Sequence, residues 1–482
     1  MTLGAKQHAF IRRSPVSLQG RISSGPEYPG IMKTLAKLAR DLSTGATTSR
    51  TLVEDCLARI TAADGEGART FIKVHGDTAR AAAGYHDALR ANGAPISPWG
   101  GVPVSIKDLF DITGDVTTAG SKVLSAAPPA SADGAAVARL RAAGLIPIGR
   151  TNMTEFAFSS LGLNPHYGTP LNPFERARRR VPGGSSAGAA VSIADEMAYG
   201  ALGTDTGGSC RIPAAFCGIV GFKPTQKRVP LAGAFPLSHT LDSIGPLAAS
   251  VSCCAVLDAV LAAEPAADLE AMQIKGLRLA VPRSYVLDGL DAQVARSFER
   301  ALSTLNGAHA HITEIALSEL NELPNINRKG GFPAAEAYSI HRALLETKSA
   351  QYDPRVSVRI QRGTEQSAAD YLDLIRARAD FIRRVDHVLA PFDAVLMPTT
   401  PIVAPLLTEL ESDGEYGRIN LLVLRNASVA NFLDRCAISI PCQETGSAPV
   451  GLTLMGAHGA DRRLLAVAAA VESLVSPTSL SR

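Results

Sequence analysis

Long apolar runs are absent from the 482-residue chain: no uncharged apolar stretch of about eighteen residues occurs, so a membrane-spanning helix is not expected. The first thirty residues carry Lys6, Arg12, Arg13 and Arg21 without a continuous apolar segment, which argues against a signal peptide. Charge of one sign is also lacking, with 48 Lys and Arg against 45 Asp and Glu. The densest basic run, Arg176 to Arg180, has no interleaved aromatic residue on which a base could stack, so nucleic acid is not an expected partner. The seven cysteines are an odd number and contain no C-x-x-C pair, which fits neither a disulfide framework nor a zinc site. Reduced thiols and a cytoplasmic location are the expectation.

What remains is a chain of 46% hydrophobic residues, long enough to bury a large core. Residues 1–31 are rich in Gly, Ser and Pro without a period, and are expected to be a flexible extension. From Met32 an amphipathic run ends at Gly45, and a second helix follows with Leu52, Cys56 and Ile60 on one face and a capping box of Thr51 and Glu54. Short Val/Ile-rich runs then alternate with helical patterns: "VPVSI" at 102, "LIPI" at 145, "RLAVP" at 278, "AVLMP" at 394, "AISIP" at 437 and "VGLTLM" at 450. That alternation predicts α/β architecture around a buried sheet. A long helix is read in "AADYLDLIRARADFIRRVDHVLAPF", with Tyr371, Ile375, Ile382, Val385 and Leu389 on one face. No linker divides the chain, so one catalytic domain is expected over 32–475, followed by a tail of 476–482.

Two glycine clusters, "VPGGSSAGAA" at 181 and "GTDTGGSC" at 203, are joined by an Ala-rich segment that reads as a helix. The first contains G-x-S-x-G, which would make Ser186 the nucleophile of an elbow. An elbow follows a buried strand, however, and here the preceding residues are "ERARRRVPGG". In the second, Gly207 and Gly208 precede Ser209 and let the backbone turn its N–H groups toward whatever Ser209 attacks. Cys210 is the rival nucleophile, with His166 and His239 as the nearest bases in sequence; Cys217 reads as a small buried hydrophobe. His309 and His311 alternate in a predicted strand, with no carboxylate cluster that would suggest a metal. Lys107, in "GVPVSIKD" at the end of a β-patterned run, is the alternative base.

In order, "GVPVSIKD", "PGGSSAGAA" and "GTDTGGSCRIPAAFCGIVGFKPT" resemble the amidase signature family of serine amide hydrolases, and the two motif serines stand 24 residues apart as in that family. The resemblance extends through "GRTNMTEFAFSS", "DSIGPLA", "MPTTP" and "PVGLTLMG". It implies a single large domain with a mixed central sheet covered by helices on both faces. It also implies Ser209 as nucleophile, Ser185 as bridging serine after a cis Gly184–Ser185 bond, and Lys107 as base. Further implied are an oxyanion hole of the main-chain N–H groups of Thr206, Gly207, Gly208 and Ser209, and a loop braced by Asp205 and Arg211. Ala157, Phe158 and Ser159 fall where relatives line the acyl pocket. The implied substrate is a small amide, without metal or organic cofactor, and a homodimer is compatible with the family. The family also includes carbamate and urea-type hydrolases and the glutamine-hydrolysing component of glutamyl-tRNA amidotransferase. The tyrosine-rich segment of that component is not evident in "AAEAYSIHRALLETKSAQYDPRV", which favours a free-standing amidase. An inactive assembly protein is the reading from outside enzymology, and the occupied catalytic positions speak against it.

Overall fold

The computed structural model describes residues 32–266 and 269–477. The expected extension 1–31 and residues 478–482 of the expected tail lie outside the described residues. All six apolar runs named above form strands. In chain order the strands are β1 (Phe71–Val74), β2 (Pro103–Lys107), β3 (Ile146–Thr151), β4 (Ala201–Thr204), β5 (Val220–Lys223), β6 (Ile244–Ala248), β7 (Arg278–Pro282), β8 (His311–Ile315), β9 (Ala394–Pro398), β10 (Ala437–Pro441) and β11 (Gly451–Met455). They make one sheet in the order β1-β3-β2-β4-β6-β5-β10-β11-β9-β7-β8. The sheet is mixed: β3, β2 and β4 run parallel, as do β9, β7 and β8, while the centre from β4 through to β9 is antiparallel.

Successive residues of a strand point to opposite faces, so a strand buried at every position is covered on both sides. That holds for β2, β3, β4, β5, β6, β9, β10 and β11, whereas the edge strands β1 and β8 have exposed positions. The helices Gly76–Ala91, Ala187–Ala194, Val251–Ala262 and Asp461–Val475 supply part of the cover. The chain is therefore α/β, with a mixed central sheet layered between helices.

Three local expectations need correction. The second helix, Ser49–Thr61, is capped by Thr48, whose side chain accepts from the N–H of Thr51; Glu54 instead pairs with Arg50 and Arg80. In the helix Ala368–Leu389 the buried stripe is Leu374, Phe381, Val385 and Leu389, and Ile375 is exposed, because two apolar faces overlap in the sequence and only one meets the core. His309 sits at φ +66° in the turn before β8, so it does not share a strand face with His311.

Two neighbouring parallel strands position the chemistry. β2 ends on Lys107 and β4 ends on Thr204, and the second glycine cluster leaves β4 directly into the helix Arg211–Cys217. The first cluster opens the helix Ala187–Ala194, which is pinned to β2 by the Ser105 and Ser192 hydroxyls, 2.9 Å apart. Both clusters thus meet beyond the carboxyl ends of adjacent parallel strands, where open α/β sheets form crevices.

Candidate active site

Lys107 is fully buried, and its Nζ lies 2.8 Å from Ser185 Oγ and 2.8 Å from Thr204 Oγ1. No carboxylate forms an ion pair with it among the described residues. Burial is the dominant influence and pulls the amine from its ordinary 10.5 down to about 8, against the opposing pull of Asp242 and Asp205. With the amine at about 8, about a tenth of the lysine is neutral at pH 7 and about half near pH 8.

The Gly184–Ser185 bond is cis, and the two glycine clusters join where the Ser186 N–H donates to the Ser209 carbonyl at 3.3 Å. Ser186 itself is wholly buried, with its hydroxyl directed at the Thr204 carbonyl, and no strand precedes it. The elbow reading is thereby excluded. Ser209 is almost buried, and its hydroxyl makes no hydrogen bond among the described residues.

The loop behind Ser209 is built around Asp205. Its carboxylate accepts from the Gly208 N–H (2.9 Å), the Cys210 N–H (3.1 Å) and the Arg211 guanidinium (2.9 and 3.0 Å). Asp205 and Arg211 are both without solvent contact, so their pairing is an internal brace and not a surface salt bridge. Burial alone would raise Asp205, but Arg211 and the Asn431 amide outweigh it and hold the carboxyl at about 2. Asn431 completes the brace by bonding both Arg211 and Asp205. The Thr206 hydroxyl donates to Asp242 Oδ1 at 2.6 Å, and Asp242 Oδ2 accepts from the N–H groups of Leu237 and Ser238.

This arrangement revises the four-donor expectation. The Gly208 N–H is committed to Asp205, whereas the N–H groups of Thr206, Gly207 and Ser209 have no partner among the described residues. Gly208 is needed for another reason: its φ is +121°, and a Cβ there would come 2.5 Å from Ala427 Cβ and 2.6 Å from Ile212 Cδ1. Gly208→Ala is therefore expected to displace the whole turn and lower kcat by about 10² to 10³, the cost typical of one lost oxyanion donor. Steady-state kinetics beside a thermal melt check this, and wild-type kcat would remove the loop from the chemistry.

Cys210 fails as a nucleophile on physical grounds. Its buried thiol faces the Gly245 carbonyl at 3.6 Å, and burial pushes its pKa up, away from thiolate. Cys217 is likewise buried, beside the Pro182 carbonyl. His166 is bound to Glu155 at 2.8 Å and is not in contact with Cys210 or Ser209.

A cavity of about 220 Å³ opens beside the second glycine cluster, with Leu109, Ala157, Thr204, Thr206, Phe235 and Asp242 among its walls. His239 is exposed and also borders it. Of the three residues expected in the acyl pocket, Ala157 lines this cavity. Phe158 instead lies under Arg359, and Ser159 is bonded to Asn420 and Tyr416. Thr204, Asp242, Asn431 and Asn420 were not singled out by sequence. Thr204 stood inside a quoted motif, and Asp242 opened another; the two asparagines come from the helix Asp413–Phe432 with no local signal.

A buried lysine, two serines on glycine turns and a loop of unpartnered main-chain N–H groups are parts from which a serine hydrolase site can be built. A model of the Amidase family matches residues 51–465, and the chain belongs to that family, the amidase signature hydrolases of the amide C–N bond. Over 409 residues it is 38% identical to 2-amino-5-chloromuconic acid deaminase of Comamonas testosteroni, covering 83% of this chain and 87% of the relative. Over 472 residues it is 34% identical to the first (A) component of the glutamyl-tRNA(Gln) amidotransferase of Acidobacterium capsulatum, covering 90% and 98%. A crystal structure of an amidase superposes with a TM-score of 0.83 at 31% identity, covering 92% of this chain and all of that one. No helix among the described residues is long and apolar enough to cross a membrane.

Proposed function

We propose that the chain is a free-standing amidase, one domain over 32–475, that cleaves a linear carboxamide through an acyl-enzyme on Ser209. The observation that carries this reading is the environment of Lys107, buried against hydroxyls with no ion-pair partner among the described residues. Neutral Lys107 takes the proton of Ser185 while Ser185 takes that of Ser209, and Ser209 Oγ bonds to the carbonyl carbon. The resulting oxyanion is held by the free N–H groups of Thr206, Gly207 and Ser209, with Asp205 fixing the turn from behind. The relay then runs backward to protonate the departing nitrogen, the C–N bond breaks, and water hydrolyses the acyl-enzyme by the same route.

Thr204, the second hydroxyl on Nζ, keeps the amine in place for the relay. Tertiary position supports a role for Asp242 as well: by holding the Thr206 hydroxyl it fixes the residue whose N–H opens the donor loop. The test is a screen of the purified chain alone against linear primary amides, anilides, carbamates and glutamine, reading ammonia or amine release. Turnover of linear amides without any partner protein is the expected result. Turnover of glutamine only, and only when partner proteins are added, would instead make it a component of an amidotransferase.

A further inference from the structure

A carboxylate taken out of water is tolerated only where hydrogen bonds or a cation replace its hydration. Glu336, on the helix Gly331–Lys348, is buried and relies on hydrogen bonds alone among the described residues. Its Oε1 accepts from the Thr240 hydroxyl and, at 2.6 Å, from the Tyr371 hydroxyl. Its Oε2 accepts from the Ser238 hydroxyl and, at 3.1 Å, from the Thr240 N–H. Arg378, a cation within reach of its charge, donates instead to the Phe432 and Asn431 carbonyls. Three of the four donors belong to the loop between β5 and β6, so the carboxylate grips one short segment.

That segment is part of the cavity wall, where Phe235, Pro236, Leu237, His239 and Asp242 all stand. The first half of the loop is fastened by its main chain: the Phe235 N–H donates to the Leu109 carbonyl and the Asp111 N–H to the Gly233 carbonyl, each at 2.8 Å. Residues 236–241 make no main-chain bond outside the loop among the described residues. Beyond the loop they are held by Glu336 and by the Gln226 amide, which donates to the His239 carbonyl at 2.8 Å. Asp242 closes the connection, since Oδ2 accepts from the Leu237 and Ser238 N–H groups and Oδ1 from the Thr206 hydroxyl. A continuous series of contacts thus runs from Glu336 through Ser238 and Asp242 to Thr206, whose own N–H is free beside Ser209.

We infer that Glu336 is a positioning residue for the hydrolysis: its grip on Ser238 and Thr240 sets the cavity wall that meets the acyl group and, through Asp242, the Thr206 N–H that meets the oxyanion. The requirement is for hydrogen bonds in place, not for charge. Glutamine satisfies it, because its carbonyl accepts from Ser238 and the Thr240 N–H while its NH₂ donates to the Thr240 and Tyr371 hydroxyls, which rotate to accept. Leucine leaves those groups without a partner and releases the wall. This inference rests on the amidase reading above.

The test measures how fast methyl, butyl and octyl fluorophosphonates label Ser209 in the full chain, together with kcat per labelled site on linear amides of matching acyl length. Wild type is expected to spread these labelling rates by about tenfold or more, as a shaped apolar wall does. Glu336→Gln should keep that spread and a kcat within about threefold of wild type. In Glu336→Leu the spread is expected to narrow to about threefold and kcat per labelled site to fall about tenfold to a hundredfold, less than for a donor removed outright. Thr240→Val loosens the same grip from the loop side and decides the matter should the leucine variant not fold. The acid limb should stay near pH 8 in all of them, since Lys107 stands outside this series. A lowered melting temperature with wild-type length profile and wild-type kcat per labelled site would make Glu336 structural only and overturn the inference. A wild type indifferent to chain length, or a glutamine variant as impaired as the leucine one, would also overturn it. Graded labelling of Ser209 without turnover of any amide sinks the amidase reading alone, and the grip is then judged on labelling.

Discussion

Alanine at position 209 is expected to lower kcat by about 10⁴ to 10⁶, the loss seen when a serine hydrolase is deprived of its nucleophile. The fold should be untouched, because the Ser209 hydroxyl makes no hydrogen bond, among the described residues, whose loss would strand a buried partner. Cys210→Ala is the contrasting case: the thiol is buried and kept neutral, so its removal costs packing and little activity. Kinetics and melting of both variants read this directly. An inactive, folded Cys210→Ala beside an active Ser209→Ala would reverse the assignment.

Lys107→Met is the second large effect, an expected loss of about 10³ or more in kcat/KM, since methionine fills the same space without a lone pair for the Ser185 proton. In wild type the acid limb follows the amine: with Lys107 lowered to about 8, kcat/KM for a non-ionising amide should rise about tenfold per pH step up to that point and level above it. At pH 7 about a tenth of the enzyme carries neutral lysine. Stability moves with the same group. The folded value lies below the unfolded one, so the unfolded chain binds more protons between about 8 and 10.5, and stability rises with pH across that window. Below pH 8 the buried ammonium costs about 3 kcal/mol, which methionine does not incur. The methionine variant should therefore melt no lower than wild type at neutral pH while losing the acid limb. A retained acid limb in its residual rate would assign the titration to another group.

Sequence legibility followed burial. β9 is apolar throughout, and β2, β3, β10 and β11 each contain or adjoin a short Val/Ile/Leu-rich run, as in "VPVSI", "LIPI", "AISIP" and "VGLTLM", that is visible without context because both faces are covered. β4, β5 and β6 are equally buried but short and interrupted by glycine, as in "ALGT", "VGFK" and "IGPLA", so nothing in their composition separates them from turns. Lys107, Ser185 and Ser209 were legible through the motifs that hold them, where tight turns demand glycine beside the two serines. Asp205 and Arg211 were legible as neighbours of Ser209, but their third partner, Asn431, lies more than two hundred residues away and was not. Glu336 escaped for the same reason: the hydroxyls it holds, on Ser238 and Thr240, lie 98 and 96 residues away in the chain.

The capping of the helix Ser49–Thr61 shows the converse. Thr51 and Glu54 fit a capping box by spacing, yet Thr48 holds the extended backbone that a cap requires, and Glu54 is drawn off to Arg50 and Arg80. Spacing named the motif, and backbone conformation decided which residue could use it.

The central claim is that Ser209 is the group that becomes acylated, driven by neutral Lys107. The most direct measurement is labelling of the purified enzyme with a fluorophosphonate over a range of pH, followed by mass mapping of the modified peptide. The account predicts one adduct, on Ser209, forming faster as pH rises toward about 8 and failing to form in Lys107→Met. An adduct on Cys210 or Ser186, or labelling of Ser209 at a rate indifferent to pH and to Lys107, would contradict it.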